Sequence, residues 1–259
     1  MTYTNTALIT GASSGIGLEL ARLHAQQGGD LVLVARSEGK LNTLKNELEQ
    51  AYGVNACVIT ADLTDPDSAQ QIYTATRQQG IEVDILINNA GFGGHGFFHE
   101  RELQADLEMI QVNISSLIAL THLFVQDMTA RKSGKILNVS STASFIPGPL
   151  QATYYATKAF VTSFSQALAE ELKEQGISVT ALCPGAVATE FAKTGNLEEL
   201  AVFKQGKSAT SVAKCGYQAM QKGKLLAFNE PVLNFLLNWI VPLLPRSLVL
   251  SMSRRTMEK

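Results

Sequence analysis

Short apolar runs alternate along the chain with longer stretches in which apolar residues recur every three or four positions. The short runs are typical of strands and the longer stretches of amphipathic helices. Because the short runs are almost continuously apolar, the strands are expected to be buried on both faces, as in a parallel sheet covered by helices on both sides. The pattern predicts the α/β class, with one doubly wound domain of about seven parallel strands. The runs are TALIT, DLVLVA, ACVIT, DILIN, KILNVS, SVTALCP and KLLAF.

The predicted elements follow one another without a linker, an internal repeat or a low-complexity tract. We expect residues 1–230 to form the main body and residues 231–259 a helical extension of the same domain. The extension contains the apolar stretch 231–250, whose three prolines and Arg246 disfavour a membrane-spanning helix. Short helices that cover a pocket or a neighbouring subunit are expected there. Contact of this tail with a membrane surface is the less favoured alternative.

Charged residues make up only 17% of the chain, against about 25% in typical proteins, while 46% of the residues are hydrophobic, which excludes disorder. A formal net charge of −2 gives no electrostatic reason to expect a nucleic acid partner. The widely spaced Cys57, Cys183 and Cys215 predict neither a disulfide framework nor a zinc site, and no other metal site is predicted. Since the N-terminus MTYTNTALITG lacks the features of a secretory signal, the chain is expected to be cytoplasmic.

The shortage of charge is concentrated in two segments. Residues 109–126 contain no Asp, Glu, Lys or Arg, and residues 136–169 contain Lys158 as their only charged side chain. These segments include the predicted fourth and fifth helices. A helix so poor in charge is expected to be covered on more than one side, so we expect a homodimer or homotetramer formed through these helices.

A glycine-rich turn, TGASSGIG at residues 10–17, connects the first predicted strand to the first helix. Glycines at such a turn let backbone N–H groups approach a pyrophosphate at the positive end of the helix. The spacing differs from the Gly-x-Gly-x-x-Gly fingerprint, so a glycine-rich turn that binds nothing is the alternative. The candidate cofactor-binding residues here are Gly11, Ser13, Ser14, Gly15, Ile16 and Gly17.

The end of the second predicted strand favours NADP(H) over NAD(H). An acid that would bind the adenosine ribose 2′-hydroxyl is missing there, and Arg36 offers a forked cationic donor to a 2′-phosphate, aided by the Ser37 hydroxyl. The alternative for Arg36 is a solvated surface side chain. After the third strand, two roles are open to Asp62: accepting from the adenine amino group, or capping the next helix.

Tyr154 and Lys158 lie one helical turn apart and on one face of a predicted helix. A phenol has an ordinary pKa of about 10, and a nearby cation is expected to lower the pKa of Tyr154 so that it exchanges a proton with a carbonyl or alcohol oxygen. Ser141 ends the KILNVSS strand, at the sheet edge where ligands gather, and its hydroxyl is expected to orient the same oxygen. Taken alone, a Tyr and a Lys four apart are also a common surface pair.

Together these residues resemble the short-chain dehydrogenase/reductase family, in particular its NADP(H)-preferring hydroxysteroid dehydrogenases and 3-oxoacyl reductases. The resemblance covers about residues 5–230 and implies a Rossmann fold and hydride transfer between a nicotinamide and a carbonyl/alcohol pair. It implies Tyr154 as the acid/base, Ser141 as the substrate-positioning hydroxyl and Lys158 as a contact of the nicotinamide ribose. Asn113 is implied to hold a water that links Lys158 to solvent. The further cofactor contacts that it implies are Leu63, Asn89, Ala90, Gly91, Pro184, Gly185, Val187 and Thr189.

We expect an NADPH-dependent carbonyl reductase, also able to work as an alcohol dehydrogenase, that acts on an apolar ketone, aldehyde or 3-oxoacyl-type substrate. The alternative is a non-catalytic NADP(H)-binding sensor or scaffold, which would need only the cofactor residues. The substrate pocket is expected to be formed by residues 92–98, 142–151 and 190–207. Its aromatic and apolar residues suggest an apolar substrate, although aromatic residues at this density more often serve plain core packing. They are Phe92, Phe97, Phe98, Phe145, Ile146, Leu150, Phe191 and Phe203.

Overall fold

The computed structural model describes residues 3–204 and 206–258 and contains a seven-stranded parallel sheet. Two further short strands pair with each other outside this sheet. The strands are β1 (Ala7–Thr10), β2 (Leu31–Ala35), β3 (Ala56–Thr60), β4 (Ile85–Asn88), β5 (Gly134–Val139), β6 (Ile177–Leu182), β7 (Val187–Ala188), β8 (Lys207–Ser208) and β9 (Leu226–Ala227). The order in the main sheet is β3-β2-β1-β4-β5-β6-β9, with β7 paired to β8.

Helices connect the strands and cover both faces of the sheet. They are α1 (Gly15–Gln26), α2 (Glu38–Tyr52), α3 (Ser68–Gln78), α4 (Leu103–Ile110), α5 (Ser116–Arg131), α6 (Ala152–Leu172), α7 (Glu190–Thr194), α8 (Ala201–Lys204), α9 (Ala209–Gln221), α10 (Pro231–Phe235) and α11 (Arg246–Met257). Single 3-10 turns occur at Phe98–Glu100, Thr142–Phe145, Lys173–Gln175 and Val241–Leu243, and π-helical turns at Gln111–Ser115 and Leu236–Ile240.

The alternation of side chains along β1 shows why both faces are covered. Ala7 and Ile9 contribute to one buried cluster, and Leu8 contributes to a second cluster on the opposite face. Successive strand residues point to opposite faces, so an all-apolar strand needs helices on both sides. The sequence-based prediction of a doubly wound α/β fold with about seven parallel strands is therefore confirmed.

The change in strand order between β1 and β4 opens a crevice at the carboxyl ends of the strands. The chain leaves β1 toward β2 and β3, and after β3 it crosses back to β4 on the other side of β1. Ligands of open α/β sheets bind at such a switch point. The glycine-rich turn after β1 and the turn after β4 meet there.

Helices α4 and α5 are joined by the π-helical turn Gln111–Ser115 into one long helix, Leu103–Arg131. This 29-residue helix is long and apolar enough to cross a membrane, and 44% of its most apolar 18-residue stretch is buried inside the molecule. Asn113 lies in the π-helical turn and is buried. Extra-wide turns of this kind are often found at functional sites.

The C-terminal segment folds back onto the body of the domain. Residues Pro231–Leu243 form one short apolar helix, and α11 follows after Pro245. At the end of α11 the backbone carbonyl of Met257 bonds the His95 imidazole Nε2 at 2.6 Å, and Gln151 Nε2 contacts Met257 Sδ at 2.9 Å. The end of α11 is therefore held next to the start of α6.

Candidate active site

A cavity of about 770 Å³ opens at the carboxyl edge of the sheet. Of the predicted catalytic and cofactor-binding residues, all but Gly17 and Asn113 lie on its wall. The predicted site residues on the wall are Gly11, Ser13, Ser14, Gly15, Ile16, Arg36, Ser37, Asp62, Leu63, Asn89, Ala90, Gly91, Ser141, Tyr154, Lys158, Pro184, Gly185, Val187 and Thr189.

The glycine-rich turn has the shape of a phosphate cradle. Gly11 and Gly15 have positive φ angles of 66° and 55°, which favour glycine. Ser14 precedes α1 without capping it through its side chain, so the positive end of the helix is not shielded by a hydroxyl. A Cβ on Gly15 would lie 3.1 Å from the Thr189 methyl group, so a side chain there would fill the space above the turn. These features fit the pyrophosphate of a dinucleotide.

Gly17 lies in close contact with this turn. A Cβ at Gly17 would lie 2.3 Å from the Gly11 carbonyl oxygen and 2.4 Å from Asn89 Nδ2. Its lack of a side chain therefore allows the helix to pack against the turns after β1 and β4.

Hydrogen bonds tie the two turns together. The backbone N–H groups of Asn89 and Ala90 donate to Thr10 Oγ1, each at 3.0 Å, and Asn89 Nδ2 donates to the Thr10 carbonyl oxygen at 2.9 Å. The Thr10 side chain thus holds the turn after β4 in place, and Asn89 and Ala90 of that turn line the cavity. The sequence alone did not indicate this role of Thr10.

Basic side chains gather where β2 ends. Arg36 and Ser37 are exposed on the cavity wall, and Arg36 forms no ion pair with another residue that the structure describes. Lys40, which the sequence reasoning did not select, also lines the cavity and reaches across it to Glu190 at 3.3 Å. The Lys40 ammonium is thus paired with a carboxylate, whereas the Arg36 guanidinium is a cation with no acidic partner among the described residues.

Asp62 forms a local turn and does not cap a helix. Its Oδ1 accepts from the backbone N–H and the hydroxyl of Thr64 at 3.0 and 2.9 Å. Helix α3 begins only at Ser68, with Asp67 at the N-cap position. The capping alternative for Asp62 is therefore wrong, because the next helix starts six residues further along the chain.

Ser141 and Tyr154 form the reactive end of the cavity. Both side chains are buried and lie on the wall of the same cavity, and the Ser141 hydroxyl is near enough to the phenol to lower its pKa slightly. Ser141 Oγ also accepts from the Ala143 backbone N–H at 3.1 Å and donates to the Pro184 carbonyl oxygen at 3.3 Å. These contacts hold the hydroxyl just after the end of β5, on the cavity wall that Tyr154 also lines.

Lys158 supports Tyr154 from one helical turn away. Its Nζ donates to the Val139 carbonyl oxygen at 2.8 Å and lies 5.8 Å from the centre of the Tyr154 ring. Burial lowers the pKa of Lys158 to about 8, because the charged form loses its hydration.

The expected effect of this cation on the phenol is not found. Burial raises the pKa of Tyr154 above its ordinary value, and the Ser141 hydrogen bond lowers it by a smaller amount. The prediction that Lys158 lowers the pKa of Tyr154 is wrong for this structure. The physical reason is that the ammonium bonds a backbone carbonyl, while the buried phenolate would lose its own hydration.

The neighbours Ser140 and Tyr155 are engaged elsewhere. Ser140 Oγ donates to the Lys158 carbonyl oxygen at 2.9 Å and lies 2.6 Å from Thr162 Oγ1. Burial raises the pKa of Tyr155 to about 12, and its ring packs in a buried apolar cluster. The Ser140 hydroxyl is therefore already bonded to α6, whereas Ser141 lies with Tyr154 on the cavity wall.

Asn113 lies behind the cavity wall. Its Nδ2 donates to the Phe92 carbonyl oxygen and to Thr157 Oγ1, both at 3.0 Å. A Cβ on Gly91 would lie 2.9 Å from Asn113 Oδ1 and 3.4 Å from Lys158 Nζ. The missing side chain of Gly91 therefore leaves a short path between these two polar groups.

The cavity wall next to Tyr154 is apolar. Phe92, Phe191 and Phe203 lie on its wall, and the Phe191 ring packs 5.4 Å from that of Tyr154. Phe97, Phe98 and Leu150 line a smaller neighbouring cavity of about 220 Å³ instead. Of the other expected pocket residues, Phe145 packs on Phe228, and Ile146 packs against a buried cluster. The wall also includes four residues that sequence reasoning missed: Glu230, Leu233, Thr256 and Met257.

Comparison with known proteins gives a consistent result. The sequence profile described as short chain dehydrogenase matches residues 5–200. The very-long-chain 3-oxoacyl-CoA reductase of Anas platyrhynchos is 32% identical over 256 residues, covering 96% of this chain and 79% of that protein. The enzyme of the same name from Mus musculus is 37% identical over 191 residues, covering 72% of this chain and 61% of that protein. The chain thus spans less than two thirds of the mouse protein.

Among solved structures, a short-chain dehydrogenase from Sphingobium yanoikuyae in complex with NADPH has the same fold. It superposes with a TM-score of 0.82 at 32% identity, and 88% of each chain is covered.

The prediction of a cytoplasmic enzyme is wrong. The two reductases to which this chain is similar are membrane-associated enzymes. The prediction rested on the N-terminal segment and on the interrupted apolar stretch 231–250. Neither feature excludes association with a membrane through another part of the chain.

Proposed function

The chain belongs to the short-chain dehydrogenase/reductase family and is an NAD(P)-dependent oxidoreductase, and from this premise we propose that it is an NADPH-dependent reductase of apolar carbonyl compounds. The placement of the buried Ser141 hydroxyl and Tyr154 phenol on the wall of one cavity carries the proposal. Both groups lie in the same cavity as the glycine-rich turn. A non-catalytic sensor would not need a paired hydroxyl and phenol at this position.

In the proposed reaction, Ser141 binds the substrate carbonyl oxygen and Tyr154 donates its phenolic proton to that oxygen. The hydride that reaches the carbonyl carbon comes from the nicotinamide when NADPH is bound. The raised pKa of Tyr154 keeps the phenol protonated at neutral pH, which suits an acid in the reductive direction. Oxidation of the alcohol requires the phenolate and is expected to be favoured at higher pH.

Lys158 and Asn113 are proposed to restore the proton on Tyr154. Lys158 Nζ lies next to the Tyr154 ring, and the glycine at position 91 leaves the Asn113 amide close to that ammonium. A water held between these groups would continue the path to solvent. The same ammonium is proposed to contact the nicotinamide ribose.

NADPH is proposed as the preferred cofactor because of the charge at the adenosine end of the cavity. Arg36 and Ser37 supply donors and positive charge, and the position directly after β2 holds Arg36 and not an acid that would repel a 2′-phosphate. Asp62 lies on the same wall and is proposed to accept from the adenine amino group. The NADPH complex of the Sphingobium yanoikuyae relative is consistent with this preference.

The substrate is proposed to be an apolar ketone or aldehyde, including 3-oxoacyl compounds. Support comes from the aromatic wall formed by Phe92, Phe191 and Phe203 next to Tyr154. The names of the two reductases compared above describe activity on very-long-chain 3-oxoacyl-CoA.

A homodimer or homotetramer through the long helix Leu103–Arg131 and α6 is proposed as the working assembly. Leu103, Leu107, Ile110 and Ile118 are exposed along the long helix. An exposed apolar helix surface is expected to be covered by a partner.

The proposed function is tested by following NADPH oxidation with a panel of aromatic and aliphatic ketones, aldehydes and 3-oxoacyl thioesters. We expect turnover of apolar members and little turnover of polar ones. A separate titration of NADPH fluorescence reports cofactor binding. Binding of NADPH without turnover of any carbonyl would contradict the proposal and favour a sensor.

A further inference from the structure

One surface of the C-terminal segment is apolar and uncovered. In the helix Pro231–Leu243, large apolar side chains are exposed at spacings of three, one, three, one and three residues, so they form one stripe. Trp239 is 69% exposed and Leu243 is 82% exposed. The exposed stripe consists of Val232, Phe235, Leu236, Trp239, Ile240 and Leu243.

Another side of the same helix packs against the domain. Leu237 is buried, and Leu233 lines the main cavity. The helix thus has a packed apolar side and an exposed apolar side, with the hydrogen-bonded Asn234 and Asn238 between them. A large exposed apolar surface is normally covered by a second apolar environment.

The charges around the stripe indicate which environment that is. Residues 231–259 contain four of the 21 basic residues and one of the 23 acidic residues, which gives a formal charge of +3 in a chain whose total is −2. Arg246, Arg254 and Arg255 are exposed on α11. Arg254 pairs with Glu258, while Arg246 and Arg255 have no acidic partner among the residues that the structure describes.

We propose that residues 231–257 dock on an anionic lipid surface, with the stripe in the acyl boundary and the α11 arginines at the headgroups. Exposed Trp and apolar residues beside arginines have the amphipathic composition of interfacial helices. A second copy of this chain is a poorer occupant. A two-fold contact through the stripe would bring two positively charged segments together.

This docking would set the orientation of the active site. Leu233 from the helix and Thr256 and Met257 from the end of α11 line the cavity. The docked segment therefore forms part of the cavity wall on one side and contacts lipid on the other. An apolar substrate dissolved in the bilayer would have a short route to Tyr154.

The test is flotation of the purified full-length protein with vesicles of phosphatidylcholine and phosphatidylglycerol, compared with vesicles of phosphatidylcholine alone. Wild type is expected to bind the anionic vesicles more strongly. Trp239→Ser with Leu243→Ser is expected to lower binding by at least about tenfold, because two large apolar side chains no longer enter the lipid. Arg246→Gln with Arg255→Gln is expected to remove the preference for anionic vesicles.

The matched control is Tyr52→Ser with Leu225→Ser, which alters exposed apolar side chains outside both the C-terminal segment and the long helix Leu103–Arg131. It is expected to bind vesicles like wild type. Thermal unfolding of every variant checks that a loss of binding is not a loss of folding. The proposal is overturned if wild type binds neither kind of vesicle, or if the Tyr52 variant loses binding while the Trp239 variant keeps it. It is also overturned if the Trp239 variant turns a dimer into a monomer and vesicles play no part.

Discussion

Lys158 Nζ lies 5.8 Å from the centre of the Tyr154 ring and donates its hydrogen bond to a backbone carbonyl. The lysine is buried, and burial lowers its pKa to about 8. The same burial raises the pKa of Tyr154. The two groups are thus both shifted toward their neutral forms, which leaves a protonated phenol beside an ammonium that is easily deprotonated. This state suits proton donation to a carbonyl oxygen.

The lowered pKa of Lys158 predicts how stability depends on pH. Between about pH 8 and about pH 10 the unfolded chain keeps a proton on Lys158 that the folded chain has lost, so the free energy of unfolding rises with pH, by at most about 1.4 kcal/mol per pH unit. Lys158→Met lacks this contribution. Urea unfolding of both proteins over this range should show the wild-type value rising relative to the variant. A constant or falling difference would contradict the shift. Tyr154 acts in the opposite direction only above about pH 10, where the unfolded phenol ionises.

Arg36→Ala is expected to weaken NADPH binding by about 10- to 100-fold and to leave NADH binding almost unchanged. The reason is the loss of a charge-assisted hydrogen bond to the 2′-phosphate, which NADH lacks. Fluorescence titration with both cofactors measures the change. Arg77→Ala is the matched control, because the Arg77 side chain is exposed on α3; this variant should bind both cofactors like wild type. Equal losses for NADPH and NADH would remove the phosphate role of Arg36.

Gly17→Ala is expected to destabilise the protein by about 1–3 kcal/mol and to weaken cofactor binding, because the added Cβ would meet the Gly11 carbonyl oxygen at 2.3 Å. Gly39→Ala in α2 is the matched control. No atom lies within 4 Å of a Cβ there, so this change should stabilise the helix by up to about 1 kcal/mol. Thermal unfolding and NADPH titration compare the two. A Gly17→Ala protein as stable as wild type would show that the turns after β1 and β4 are not tightly packed.

Met257→Ala is expected to shift substrate preference toward bulkier ketones by about tenfold in relative kcat/KM, because the side chain occupies part of the cavity wall. Met252→Ala, on the exposed side of the same helix, should leave the preference unchanged. The measurement is kcat/KM for a series of ketones of increasing size. If both variants shift the series equally, the end of α11 does not shape the substrate site.

The sheet and much of the site could be predicted from local sequence signals. Continuous apolar runs mark the strands, and Gly11, Gly15 and Ser141 stand where those strands end. Because parallel strands bring their carboxyl ends to one edge, local position along the chain was enough to place these residues together.

Features that depend on distant contacts could not be predicted in this way. Met257 reaches the cavity only because α11 folds back onto His95 and Gln151, more than 100 residues away. The pKa shift of Tyr154 depends on its burial and on the direction of the Lys158 ammonium, neither of which the four-residue spacing shows. The exposed stripe around Trp239 likewise appears only when the packed side of its helix is known.

The central claim is that Tyr154 is the proton donor of a carbonyl reductase, and Tyr154→Phe compared with Tyr155→Phe tests it most directly. The two variants remove the same hydroxyl from adjacent buried rings. With saturating NADPH and the best carbonyl substrate, Tyr154→Phe is expected to lower kcat by about 100- to 10,000-fold while NADPH binding persists, and Tyr155→Phe should keep most of its activity. Turnover by Tyr154→Phe at the wild-type rate would contradict the assignment.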